Sequence, residues 1–291
     1  MAATEPKSVW DVAATLGEGP VWVERDRALW FTDIKGRRVH RYDPATGGRQ
    51  TWVAPEQVGF VLPARDGGFI AGLMSGLHRF DESTGRFTLI AEIEPERPNN
   101  RLNDGVVDPA GRLWFGTMDN GENAKTGAFY RFERGAVAAT GLDGIAITNG
   151  PALSPDGRTL YFVDTRAGTI GSAEVGEDGS LGPARPFARI DPAEGHPDGP
   201  SVDSEGFVWV GLYAGWEARR YSPAGELAER VRFPVANITK IAFGGDDLRT
   251  AYATTARQML TPAEIARQPR AGDLFEFRVD VPGLPSPLVA T

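Results

Sequence analysis

The sequence predicts an all-β fold, a six-bladed β-propeller with four antiparallel strands in each blade, on three observations. Glycine (36 residues) and proline (22 residues) are plentiful, and Thr261–Gln268 is the best helical candidate in a chain without long amphipathic patterns. A short apolar strand recurs at a near-constant interval along the chain. Each copy is followed by further strand-like segments, and this grouping in fours favours a propeller over a β-sandwich.

The centres of the recurring strands are spaced 40 to 48 residues apart and lie at Trp30, Ile70, Trp114, Tyr161, Trp209 and Tyr252. Turn sequences precede four of them, as in Asp66-Gly67-Gly68, because glycine tolerates the positive φ of tight turns. Units of this length fill the chain, so we expect a single domain over residues 1–291. The segment from Val9 to Ala14 is predicted to be a spare strand that closes the ring by pairing with the last unit.

Composition excludes several classes of function. The net charge is −8, whereas a nucleic-acid partner favours a basic surface. The chain has no cysteine, so disulfides, zinc–thiolate sites and cysteine nucleophiles are ruled out. No secretory signal and no membrane-spanning apolar run is visible, so we expect a cytoplasmic protein without a membrane partner, as a monomer or a weak oligomer.

Four oxygen-bearing side chains occur in one local context. Glu18, Asn149 and Asp198 each stand directly before Gly-Pro, and Asp104 stands before glycine in RLNDGVV. Each lies 10 to 12 residues before the centre of its unit. The first strand of every propeller blade lines the central axis, so equivalent positions should form a ring there. Asn103 shares the position of Asp104, and the remaining two units place Val58 and Lys240 at this level.

Crowded carboxylates repel one another and lose hydration, and a divalent cation relieves both problems. The candidate ligands are all oxygens, which favours Ca²⁺, Mg²⁺, Mn²⁺ or Fe²⁺ over a sulfur-rich zinc site. We therefore predict one divalent ion and leave its identity open among these and Zn²⁺. Each Gly-Pro step taken singly is also an ordinary turn at the entry to a strand.

The sequence resembles the regucalcin/gluconolactonase (senescence marker protein) family over almost its whole length, and within it the bacterial sugar lactonases such as xylonolactonase. The resemblance rests on LGEGPVW, RLNDGVVDPAGRLWFGTMD, ITNGPALSPDGRTLYFVDT, HPDGPSVDSEGFVWVGLY and FGGDDLRTAYATT. It implies a metal held by Glu18, Asn149 and Asp198. It also implies substrate contacts from Arg101 and Asn103.

The resemblance further implies an acidic substrate contact after the GTM motif. Gly121 occupies the position where an acid is often found, so Asp119 and Glu122 are the candidates here. Lys240 either lines the channel or bridges to a blade carboxylate, and the sequence does not decide between the two. We expect His196 to be an exposed loop residue, and Tyr213 to pack against a neighbouring blade rather than wall the pocket.

These features lead to a hypothesis of metal-dependent hydrolysis of a sugar lactone, in particular a pentonolactone such as xylonolactone or arabinonolactone, to the sugar acid. Asp198 is the candidate general base for the attacking water. The alternatives are a gluconolactonase, another metal-dependent propeller esterase or phosphotriesterase, and a non-catalytic calcium-binding propeller.

Overall fold

The structure is a computed structural model that describes residues 4–291. It is an all-β, propeller-like arrangement of four four-stranded sheets and one eight-stranded sheet. Each four-stranded sheet is an antiparallel meander of consecutive strands. The first sheet contains strands β2 (Gly17–Val23), β3 (Ala28–Asp33), β4 (Arg38–Asp43) and β5 (Gly48–Val53). The second contains β6 (Val58–Pro63), β7 (Phe69–Leu73), β8 (Gly76–Asp81) and β9 (Arg86–Glu92).

The next two sheets continue the same pattern. They contain β10 (Asn100–Val107), β11 (Leu113–Asp119), β12 (Gly127–Glu133), β13 (Ala136–Ile145), and β14 (Thr148–Leu153), β15 (Thr159–Asp164), β16 (Thr169–Glu174), β17 (Arg185–Arg189). The strands of the eight-stranded sheet are, in sheet order, β1 (Lys7–Trp10), β24 (Leu274–Arg278), β23 (Thr250–Thr255), β22 (Ile238–Gly244), β18 (His196–Val202), β19 (Val208–Tyr213), β20 (Glu217–Tyr221) and β21 (Leu227–Arg232).

The eight-stranded sheet corrects the prediction of six four-stranded blades. Strands β18 and β22 pair in parallel at Gly199 and Lys240, so the strands on either side of this pair form one continuous sheet. The prediction of a six-bladed propeller is therefore wrong. Spacing along the sequence finds the repeated units, but it does not show that two neighbouring units share hydrogen bonds at their inner strands.

The N-terminal strand pairs with the last strand of the chain, as expected. Strand β1 runs antiparallel to β24, with Lys7 opposite Glu276. It begins two residues before the predicted segment and ends at Trp10, so residues 11–14 do not belong to it. The pairing covers an edge of the eight-stranded sheet that would otherwise expose unpaired backbone groups.

The core of the molecule is a closed ring of inner strands. Strands β2, β6, β10, β14, β18 and β22 contact one another in this cyclic order, and β22 also contacts β2. Their residues are buried almost throughout. Side chains of distant chain segments therefore meet at the centre of this ring.

The recurring tryptophans are structural. The indole N–H groups of Trp30, Trp114 and Trp209 donate to aspartate carboxylates in the turns before their strands, at 2.9, 2.9 and 3.0 Å. All three indoles are buried, and a buried N–H group needs a partner. The repeat in the sequence thus reflects one turn-and-strand unit with a buried hydrogen bond.

The predicted helix is present as α1 (Pro262–Arg267). Thr261 caps it: the Glu264 N–H donates to the Thr261 hydroxyl at 3.3 Å, and the Thr261 N–H donates to the Glu264 carboxylate at 2.8 Å. No helix in residues 4–291 has the length and apolar character to span a bilayer.

Candidate metal and substrate site

Each inner strand is bulged at the level where the sequence places the oxygen-bearing side chains. The pairing register shifts after Glu18 in β2, after Asn149 in β14, around Asp198 in β18 and around Asn103 in β10. A bulge leaves residues unpaired and re-aims their side chains. The glycines after Glu18 and Asn149 have φ of +53° and +79°, a region that suits glycine. The Gly-Pro contexts are therefore bulges on the inner strands.

These bulges open into a cavity of about 410 Å³, within the usual range for small-molecule sites. The cavity is lined by the predicted metal ligands and by three of the predicted substrate contacts: Glu18, Asn149, Asp198, Arg101, Asn103 and Glu122. Apolar side chains, among them Met118 and Ile147, complete the wall. The structure thus brings six of the seven predicted site residues to one cavity.

Glu18 and Asp198 are buried carboxyl groups that interact with each other. Burial, followed by the charge of Asp104, raises the pKa of Glu18 to about 7. Burial, followed by the charge of Glu18, raises the pKa of Asp198 well above its ordinary value, and a hydrogen bond between the two carboxyls adds to this rise. Without a cation, these two carboxyl groups therefore stay protonated to a higher pH than exposed carboxyl groups do.

A chain of hydrogen bonds fixes the neighbouring amides. The Asn149 amide N–H donates to the Thr165 hydroxyl at 2.8 Å, and Asn149 Oδ1 accepts from the Asn103 amide at 3.0 Å. The Asn103 amide also donates to the Thr148 carbonyl oxygen at 2.6 Å. A carbonyl oxygen has two lone pairs, so Asn149 Oδ1 retains one for a further ligand.

Arg101 places a cation in the wall of the same cavity. Its side chain is 2% exposed, and Nη1 donates to Asn103 Oδ1 at 2.6 Å. Burial lowers the pKa of Arg101 to about 10, while Glu122, Glu18 and Asp198 act against this. Arg101 lines the cavity, and its buried Nε has no hydrogen-bond partner in the described residues.

Asp119 and Glu122 have different surroundings. The Asp119 carboxylate accepts from the N–H groups of Asn123 and Ala124, both at 2.9 Å, and from the Asn99 amide. These hydrogen bonds stabilise the loop that follows Asp119, and Asp119 does not line the cavity. Glu122 lines the cavity, and its Oε1 accepts from Gln258 Nε2 at 2.9 Å. Of the two candidates, Glu122 is the one placed to contact a bound molecule.

Asp104 shares the ring level but is paired within the protein. Both its carboxylate oxygens accept from Lys240 Nζ, at 2.7 and 2.6 Å. They also accept from the N–H groups of Gly105 and Gly150, at 2.8 and 3.0 Å. Lys240 thus bridges to a carboxylate, and it also lines a second cavity between the inner strands, so both possibilities for this residue hold. Neither residue lines the cavity of Glu18, and Val58 is buried in the surrounding core.

Sequence reasoning missed several cavity residues. His196, expected in an exposed loop, begins β18 and lines the cavity. Tyr213, expected to pack elsewhere, also lines it, as do Thr165, Arg166 and Gln258. Tyr213 ends the second strand of its unit, Thr165 and Arg166 are the two residues after such a strand, and Gln258 lies three residues beyond another. An antiparallel second strand ends where the first begins, so that position was a usable signal.

The oxygen donors fit a hard divalent cation. Two carboxyl groups and one amide oxygen come together in a cavity that leaves room for water or substrate, as an open catalytic site requires. Burial, followed by the charge of a neighbouring acid, raises the pKa of both carboxyls, and a cation would offset this cost. Residues 4–291 contain no cluster of three or more His, Cys, Asp or Glu side chains suited to a metal, so Asn149 is essential to this set.

Fold and site together define a class: a propeller-like β protein with an oxygen-lined cavity on its axis. Comparison with known families gives the particular one. The family model described as "SMP-30/Gluconolactonase/LRE-like region" matches residues 16–257, so the chain belongs to this family. The resemblance found in the sequence motifs is thereby confirmed.

The chain is similar to named relatives over nearly its whole length. It is 36% identical to the 6-deoxy-6-sulfogluconolactonase of Pseudomonas putida, over 95% of this chain and 96% of the relative. It is 36% identical to the L-arabinolactonase of Azospirillum brasilense, over 91% of this chain and 89% of the relative. The crystal structure of regucalcin from Agrobacterium tumefaciens, described as a calcium-binding protein, superposes with a TM-score of 0.95 at 30% identity, over 100% and 99% of the two chains.

Proposed function

We propose that this protein hydrolyses a sugar lactone to its open acid, with one divalent ion held by Glu18, Asn149 and Asp198. The observation that carries the proposal is the meeting of these three oxygen donors, from three separate inner strands, in one cavity. Arg101 and Asn103 line the same cavity and provide donors for substrate oxygens.

At the level of class, the prediction of a lactone hydrolase is confirmed, since relatives that align over nine-tenths of the chain are named as lactonases. The sugar, the ring size and the metal are narrower statements. We propose a pentonolactone, such as xylonolactone or arabinonolactone, as the preferred substrate, with gluconolactone as the alternative. The name of one relative, an L-arabinolactonase, supports a pentonolactone.

When bound, a divalent ion would polarise the lactone carbonyl and offset the charge that develops on its oxygen. Asp198 accepts the proton of the water that attacks the carbonyl carbon. Its position beside Glu18 in a buried cavity supports this role, because a carboxylate there is poorly solvated and basic.

The remaining cavity residues bind and orient the sugar. Arg101 lines the cavity, and its guanidinium donates hydrogen bonds to substrate oxygens. Asn103 is held between Arg101 and Asn149, so it links the substrate side of the cavity to the metal side. Glu122 accepts from a sugar hydroxyl at the mouth. This polar set favours a polyhydroxylated lactone over the apolar esters or phosphotriesters of the alternative hypothesis.

The experiment is a proton-release assay with xylono-, arabinono-, galactono- and gluconolactones. The chain is used as purified, after chelator treatment, and after the return of each of several divalent ions. Acid release above the spontaneous rate that is lost on chelation and restored by one ion is the expected result. Release that chelation leaves unchanged contradicts the metal-dependent mechanism. Ion binding without acid release from any lactone favours a non-catalytic calcium-binding protein.

A further inference from the structure

A buried ion pair between Lys240 and Asp104 joins two inner strands of the ring. Lys240 belongs to β22 and Asp104 to β10, strands that are not neighbours in the ring. Lys240 Nζ lies 2.7 and 2.6 Å from the two oxygens of the Asp104 carboxylate. Lys240 is 6% exposed and Asp104 is fully buried. The pair is thus held away from water, where charges interact strongly.

The surrounding backbone fixes both partners. The aliphatic stem of Lys240 lies against Gly199, where an added Cβ would come within 2.8 Å of it. Gly199 directly follows Asp198 in the chain, and it pairs with Lys240 across the two strands. On the other side, the N–H group of Gly150, which directly follows Asn149, donates to the Asp104 carboxylate. The ion pair is therefore joined to the same bulges that present two of the proposed ligands.

The charges of Lys240 and Asp104 bear on how strongly the candidate site can bind a cation. Three carboxyl groups, those of Glu18, Asp104 and Asp198, are buried on the inner strands of the ring. The ammonium group of Lys240 contacts the Asp104 carboxylate directly and balances its charge. With Lys240 in place, the charge that faces a bound cation comes mainly from Glu18 and Asp198, which matches one divalent ion.

We propose that Lys240 is a positioning residue that neutralises Asp104 from across the ring and thereby sets the strength with which the carboxyl cluster binds a divalent ion. This inference rests on the metal site proposed above. Lys240 touches neither ion nor substrate. It acts through Asp104, in place of a second external cation.

The test is a calorimetric titration of the chelator-treated full chain with Mn²⁺ at pH 8. Lys240→Met leaves Asp104 as an extra negative charge near the site, so we expect Mn²⁺ to bind about tenfold more tightly. Asp104→Asn leaves the ammonium uncompensated, so we expect binding to weaken about tenfold. The double variant D104N/K240M should lie close to wild type. Lys7→Met, a matched loss of charge at the exposed first residue of β1, should leave the affinity unchanged.

Opposite shifts in the two single variants support the inference, because a merely structural ion pair lowers stability in both without such a sign reversal. Shifts in the same direction, or none, overturn it. Circular dichroism identifies a variant that fails to fold. If K240M fails, D104N and D104N/K240M decide: weakened binding that recovers on removal of Lys240 supports the inference, and unchanged or unrecovered binding overturns it. A wild-type chain that binds no divalent ion refutes the proposed metal site as well.

Discussion

Glu18 and Asp198 are acidic side chains in surroundings where an isolated carboxylate is costly. They line one cavity, where burial raises the pKa of both; the charge of Asp104 adds to the rise for Glu18, and the charge of Glu18 adds to the rise for Asp198. Such an arrangement is maintained either by protons or by a cation. We favour a cation, because Asn149, a neutral oxygen donor with a free lone pair, completes the set.

Asp198→Asn keeps the size of the side chain and an oxygen towards the ion but removes the proton acceptor. We expect kcat to fall by about 100-fold or more, the range for loss of a general base, with the melting temperature near that of wild type. Steady-state hydrolysis of the preferred lactone, with calorimetry to confirm ion binding, measures this. A variant that keeps about a tenth of the wild-type kcat would exclude Asp198 as the base.

Glu122 and Asp119 offer a matched pair of acidic residues from one loop. Glu122→Gln should raise KM about fivefold or more with little change in stability, because the carboxylate faces the cavity. Asp119→Ala should lower stability by about 1–3 kcal/mol, because it removes the acceptor of two backbone N–H groups. Kinetics and thermal melts on both variants separate the roles. A KM effect confined to D119A would reverse the assignment.

The candidate ligands could be found from sequence because each sits in a local pattern that repeats: an oxygen-bearing residue before glycine, at a fixed distance from a strand centre. Contacts that form only when the ring of inner strands closes could not be found from the sequence. The contact between Lys240 and Asp104 joins residues 136 positions apart, and no local pattern encodes it. The prediction that His196 lies in a loop is wrong, because the first strand of its unit begins at this residue.

The bulges connect the repeated strands to the site. They convert a regular inner strand into one that turns a carboxyl or amide side chain towards the axis. The repeat, the antiparallel meanders and the pairing of the N-terminal strand with the last strand were predictable from hydrophobic patterning and turn residues. The joining of two units into one eight-stranded sheet was not, since it depends on a single parallel pair between β18 and β22.

Gly19→Ala tests whether the bulge after Glu18 positions that ligand. Gly19 has φ of +53°, and an added Cβ would lie 2.9 Å from the Gly59 carbonyl oxygen. Gly135→Ala is the control, with φ of +76° and open space around the Cβ. The positive φ should cost each variant about 1 kcal/mol of stability, and G19A should lose more because its Cβ also meets the backbone; G19A alone should weaken Mn²⁺ binding, by roughly tenfold. Equal Mn²⁺ affinities in the two variants would show that the bulge does not control the ligand.

The stability of the ion-free molecule should depend on pH through Glu18. Burial and Asp104 raise the pKa of Glu18 from 4.5 to about 7 in the folded chain. Between these values the folded chain holds a proton that the unfolded chain has released, so the contribution of Glu18 to stability falls as pH rises through this window. A divalent ion replaces that proton and should stabilise the fold more at pH 8 than at pH 5.

Thermal melts with and without Mn²⁺ at the two pH values measure this difference. Glu18→Gln is the control, because it keeps the shape of the side chain but cannot titrate. Its melting temperature without ion should vary less with pH, and Mn²⁺ should stabilise it little. An ion-induced shift of equal size at pH 5 and pH 8 in the wild-type chain would argue against Glu18 as a ligand.

The central claim is that three distant segments of the chain hold one divalent ion at the centre of the ring. Anomalous diffraction from crystals grown with Mn²⁺ tests it most directly. The account predicts a single strong peak within coordination distance of Glu18, Asn149 and Asp198. A peak elsewhere, or none beside these three side chains at saturating Mn²⁺, would contradict it.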